Sequence, residues 1–113
     1  MRVLVAEDDP DLRLMVGRML SRLGHDAEIV ADGEALLRRA ADGPPDAVLS
    51  DIGMPWCDGL RAGARLRREL PGLRVVLMTG DSSLAEEARR AGFTRVLSKP
   101  FSLEELEGAL SSF

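Results

Sequence analysis

Short apolar runs recur along this chain, and most of them end abruptly in polar residues. Val3 to Ala6 runs into Glu7, Asp8 and Asp9, and Ala47 to Leu49 runs into Ser50 and Asp51. Val75 to Met78 ends in Thr79, Gly80 and Asp81, while Val96 and Leu97 lead to Ser98, Lys99 and Pro100. Runs of this length between turn residues predict strands buried on both faces of a parallel sheet. A weaker strand is predicted over Asp26 to Val30, with Ala27, Ile29 and Val30 facing inward.

Between the runs the apolar spacing becomes helical. Asp9-Pro10 reads as an N-cap with proline in the first turn, ahead of Leu12, Met15, Val16, Met19, Leu20 and Leu23, and Gly24 stops that helix. Asp32-Gly33 opens a second helix carrying Ala35, Leu36, Leu37 and Ala40. A third runs from Asp58-Gly59 through about Leu70, with Leu60, Ala64, Leu66 and Leu70 as a thin stripe, ended by Pro71-Gly72. Ser82 or Ser83 is expected to cap a fourth, with Leu84, Ala88 and Ala91 inward and Gly92 as its stop. Ser102-Leu-Glu-Glu is a capping box for a fifth, striped by Leu103, Leu106, Ala109 and Leu110.

Five strands alternating with five helices predict an α/β fold, a doubly wound parallel sheet covered on two faces. The 113 residues suit one domain. A formal net charge of −4 lacks the basic footprint of a nucleic-acid binder. With one cysteine, Cys57, and one histidine, His25, there is no internal disulfide and no zinc site without carboxylates. The opening run is too short for a signal peptide and no stretch could span a bilayer, so a cytoplasmic, membrane-free protein is expected. Of 15 basic residues, all but Lys99 are arginine.

The candidate chemistry lies at the strand ends. In an open α/β sheet the ligand crevice opens beyond the carboxyl ends of the strands. With strand order 2-1-3-4-5, Glu7, Asp8, Asp51, Thr79 and Lys99 meet there. Asp51 by itself would more often be a turn or helix cap; the company it keeps changes that reading. Three carboxylates in one small site disfavour one another's ionisation, which a magnesium ion would relieve. Lys99 supplies a compact positive charge where arginine would present a planar fork. Thr79 offers a hydroxyl to a phosphoryl oxygen, and Gly80 leaves the approach open. The chemistry that fits is phosphoryl transfer onto Asp51, an ionised nucleophile needing no general base.

These motifs taken together (Glu7-Asp8, Asp51 with Met54-Pro55 and Asp58-Gly59, Thr79-Gly80, and Lys99-Pro100-Phe101) resemble the receiver domain of two-component response regulators along the whole chain. The resemblance implies a flavodoxin-like fold with Asp51 as phosphoacceptor. It also implies magnesium held by Asp8, Asp51 and the Gly53 carbonyl, with Glu7 acting through water. Thr79 and Lys99 would hold phosphoryl oxygens, and the Lys99-Pro100 bond would be cis. A histidine kinase or phosphotransfer protein would be the donor. A phosphorylation-driven change in the fourth helix, fifth strand and fifth helix would signal to an effector that the sequence leaves unidentified. Such a domain is a switch that catalyses only its own modification.

Two positions depart from the family pattern: Val96 stands where an aromatic is usual, three residues before the lysine, and Trp56 replaces a small residue. With Val96 too short and stiff to act as a gate, the switch is expected to run from Thr79 through the backbone to Leu84. Trp56, in the loop after Asp51, is expected to report on the crevice. Cys57 reads as incidental, and His25 as a surface residue. Two other readings compete. A pseudo-receiver would use the same fold without phosphorylation, against which the full acidic set, Thr79 and Lys99 argue. A hydrolase with an aspartate nucleophile would want a second carboxylate two residues on, where Gly53 stands.

Overall fold

The computed structural model describes residues 1–53 and 59–111. The expectations for Met54-Pro55, Trp56, Cys57 and the Asp58 start of the third helix lie outside the described residues.

The strands are β1 (Arg2–Ala6), β2 (Asp26–Val30), β3 (Ala47–Asp51), β4 (Arg74–Thr79) and β5 (Val96–Ser98). The helices are α1 (Pro10–Arg22), α2 (Gly33–Asp42), α3 (Gly59–Glu69), α4 (Ser82–Arg90) and α5 (Leu103–Ser111). All strand pairs are parallel, in the order β2-β1-β3-β4-β5. This is the doubly wound arrangement expected from the alternation.

Side-chain alternation along each strand splits the core between the two faces. Val3, Val5, Leu49, Val76 and Met78 point to one side, where Val16 and Leu20 of α1 and Leu106 and Leu110 of α5 cover them. Leu4, Ala6 and Val48 point to the other, under Leu36 and Ala40 of α2 and Ala62 and Leu66 of α3. Further along that second face, Val75 and Leu77 meet Ala88 of α4 and the buried ring of Phe93.

Five local expectations are corrected, the first on α1, where Met15 is exposed while Val16 and Leu20 make the buried face. Ala27 is exposed, because β2 is an edge strand whose burial begins only at Glu28. On α3 Ala64 faces solvent, and Ala62, Gly63 and Leu66 make the buried face. The helix sits so close to the sheet that a Cβ on Gly63 would lie 3.3 Å from Leu77 and 3.4 Å from Phe93. On α4 Ala91 is exposed and Ala85 is buried instead. The α4 N-cap is Asp81, not a serine: its carboxylate accepts from the N–H groups of Ser83 and Leu84. The Ser102–Glu105 capping box is formed in both directions, each bond 3.0 Å long. His25 is partly buried, its Nδ1 3.1 Å from the chain's first amino group.

Candidate functional site

The crevice is built by the ends of four adjacent strands. Glu7 follows β1 directly, and its backbone N–H is held by the Val30 carbonyl of β2 at 3.0 Å. Asp51 is the last residue of β3, where Ile52 N–H donates to Met78 O of β4 at 3.1 Å. Thr79 ends β4, and its carbonyl accepts the Lys99 N–H at 2.8 Å. The backbone at Glu7, Asp51, Thr79 and Lys99 is thus held by ladder-type bonds to a neighbouring strand. The Lys99-Pro100 bond is cis, as the resemblance implies.

Lys99 is the hub. Its Nζ lies 2.8 Å from Glu7 Oε1 and 3.1 Å from Asp51 Oδ2. The other Asp51 oxygen, Oδ1, accepts the Gly53 N–H at 2.9 Å, and Glu7 Oε2 accepts the Asp8 N–H at 3.1 Å. Glu7 is fully buried and Asp51 nearly so, whereas Asp8 is exposed at the mouth. Carboxylate oxygens of Glu7, Asp8 and Asp51 all fall within 4.8 Å of one another. Thr79 is buried, its Oγ1 accepting the Asp81 N–H at 3.0 Å, which leaves the hydroxyl proton available to an incoming acceptor.

The electrostatics separate the two buried acids. Burial, followed by a hydrogen bond with Asp51, pushes the Glu7 carboxyl up to about 7 against the pull of Lys99. Burial also works to raise Asp51, but the bonds from Glu7, the Gly53 N–H and Lys99 outweigh it and hold Asp51 below the usual carboxylate range. Burial acts to lower Lys99, yet Glu7 and Asp51 overcome it and keep the ammonium charged. At neutral pH the site therefore holds an ionised Asp51, a cation beside it, and a Glu7 half-willing to keep its proton.

That donor set fits a hard divalent cation. Three carboxylates face one ammonium, and all are oxygen donors whose oxygens lie within 4.8 Å of one another. Sequence reasoning did not find Asp81, which links the Thr79 hydroxyl to the first turn of α4. The signal was present in Asp81-Ser-Ser, three residues that can each cap a helix. Val96 sits half-buried against the cluster of Ile52, Leu77, Ala88 and Phe93.

Comparison with known proteins identifies the family and the fold. The family model of the response regulator receiver domain matches residues 3–111. The chain is 36% identical over 116 residues to the DNA-binding transcriptional regulator NtrC of Azospirillum brasilense, covering 97% of this chain and 24% of that protein. It is 38% identical over 107 residues to the response regulator MprA of Mycobacterium sp. (strain KMS), covering 93% of this chain and 46% of that one. The chain thus spans less than half the length of these curated relatives. Among solved structures, response regulator TrrA of Thermotoga maritima in complex with Mg(2+)-BeF superposes with a TM-score of 0.90 at 25% identity, over 98% of this chain and 96% of that one. The receiver domain of sensor histidine kinase PA1611 from Pseudomonas aeruginosa PAO1, with a magnesium ion in its active-site cleft, does so at 0.87 and 30% identity, over 98% and 94%. This chain belongs to the response regulator receiver domain family. No helix among its described residues is long and apolar enough to cross a membrane.

Proposed function

We propose that this receiver domain, acting as one unit in the cytoplasm, accepts a phosphoryl group on Asp51 from the phosphohistidine of a histidine kinase or phosphotransfer protein. The observation that carries the reading is the position of Lys99 Nζ, 3.1 Å from a buried, ionised Asp51 with Glu7 and Asp8 in the same cluster. An Asp51 carboxylate oxygen forms the bond to phosphorus as the phosphorus–nitrogen bond of the donor breaks, and the electron pair leaves on the imidazole nitrogen. No base is required, because Asp51 is already deprotonated. Lys99 then offsets charge on the phosphoryl oxygens, and the Thr79 hydroxyl donates to one of them.

Glu7, Asp8 and Asp51, with the Gly53 carbonyl, would hold magnesium, Glu7 through water; a bound ion supplies the further positive charge that phosphoryl transfer requires. The magnesium in the TrrA and PA1611 structures supports this assignment by likeness.

The output follows from Thr79. Drawing its hydroxyl toward a phosphorylated Asp51 gives up the bond from the Asp81 N–H, and Asp81 is the α4 N-cap. The signal therefore passes along the backbone from Thr79 to Leu84, and Val96 is a passive packing residue. The effector is a partner protein or a further domain.

The test is amide NMR with magnesium and beryllofluoride. Wild type should shift at Asp51, Gly53, Thr79, Lys99 and the first turn of α4, and Asp51→Ala should not respond. Thr79→Ala should lose the α4 shifts while Val96→Ala keeps them. A response in Asp51→Ala sinks the phosphoacceptor assignment, and loss of the α4 shifts in Val96→Ala sinks the backbone route.

A further inference from the structure

Along α3 the chain reverses its overall acidic character. Four arginines, Arg61, Arg65, Arg67 and Arg68, stand against one acid, Glu69. Arg65 is paired with Glu69 at 2.8 Å, and elsewhere on the surface Arg39 pairs with Glu28 and Arg90 with Glu86. Arg61, Arg67 and Arg68 make no ion pair among the described residues. All three line one cleft of about 470 Å³ between α3 and the turn after α4, floored by Ala64, Ala91 and Phe93.

The cleft has a fixed element. The Arg67 guanidinium stacks over the Phe93 ring, 4.3 Å from its centroid. Gly92 turns beside it with φ +97, in van der Waals range of the Arg67 guanidinium. Stacking removes side-chain freedom before any ligand arrives. Helix electrostatics explain only part of the arrangement. The macrodipole favours Arg67 and Arg68 in the last turn but disfavours Arg61 in the first.

We propose that this groove docks an acidic, extended polypeptide segment of a partner. Its cations span Arg61 to Arg68, about 10 Å of helix, and arginine pairs with carboxylates through its planar fork. The alanines and the ring edge of the floor accommodate small apolar side chains between the acidic ones. A duplex polyanion suits it less, because the basic stretch is one short helix face with Glu69 exposed at its end, and the chain carries −4 overall. The surface lies on a different part of the molecule from the crevice and does not depend on the phosphoacceptor reading.

The experiment titrates the chain into a short fluorescent peptide of alternating aspartate and valine, with its asparagine counterpart and a fluorescent DNA duplex as the other arms. The aspartate peptide should bind, with amide shifts confined to Arg61–Arg68 and Ala91–Thr94. Raising salt should weaken binding, and the exposed double variant Arg61→Gln, Arg68→Gln should weaken it about tenfold. That variant should keep the wild-type amide spectrum away from α3 and melt close to the wild-type temperature, which establishes that it is folded. No binding, equal binding of the asparagine peptide, affinity unchanged in the double variant, or tighter binding of the duplex overturns the proposal.

Discussion

The crevice and the α3 groove are both clusters of like charge, and they differ in what surrounds the charge. In the crevice, strand ends force Glu7 and Asp51 out of water, and the result is a carboxyl pushed up to about 7, its neighbour held low, and a lysine bonded to both. In the groove Arg61, Arg67 and Arg68 remain exposed at the surface. Desolvation converts a charge cluster into chemistry, whereas exposure leaves it as a recognition surface that salt screens. The comparison can be broken by substitutions that should act strongly in one place and weakly in the other.

The largest effect is expected at Lys99. Replacing it with methionine leaves Glu7 and Asp51 without their cation in a site where Lys99 itself is only 16% exposed. Breaking such a pair costs about 3 kcal/mol, so the metal-free domain should melt well below wild type, with little dependence on salt. A loss under about 1 kcal/mol would mean that the crevice is solvated like a surface pair.

A smaller change of opposite sign is expected for Asp51→Asn in chelator. It removes one of two acids that compete for Lys99 and lets Glu7 ionise more easily. Burial is the largest cause of the Glu7 shift and remains in the variant, so the gain is about 1 kcal/mol, or about 4 °C. The pH dependence has a definite sign. The folded Glu7 value of about 7 lies above its ordinary 4.5, so its contribution to stability is fully present below 4.5 and lost as pH rises through 7. The Asp51→Asn advantage should therefore be largest above pH 7 and shrink toward pH 5. Thermal melts across that range check it, and an advantage that grows toward pH 5 contradicts the account. Arg61→Gln serves as the contrasting control, moving stability by less than about 0.5 kcal/mol at either end.

The same contrast explains what could be read in the sequence. The sheet was legible because β1, β3 and β4 are buried on both faces, and their apolar runs are unbroken in the chain. The crevice residues were legible because parallel strands deliver their ends to one edge, so position alone brings Glu7, Asp51, Thr79 and Lys99 together. The helix faces were less so. Ala64 and Ala91 resemble core residues in composition, but alanine fits either side, and on α3 it is Gly63 that packs closely on Leu77 and Phe93. The Asp81 cap was hidden among equivalent candidates until the Thr79 hydroxyl was seen to hold its N–H. The arginine groove was invisible because its walls come from α3 and from a turn after α4 far along the chain.

The central claim is that buried charge at the strand ends makes Asp51 the phosphoacceptor. The most direct measurement is peptide-resolved mass spectrometry after incubation with acetyl phosphate and magnesium. One phosphoryl group per chain, located on Asp51 and absent from Asp51→Ala, is the predicted result. A phosphoryl group found on the adjacent Ser50 or on Thr79, or incorporation that persists in Asp51→Ala, would contradict it.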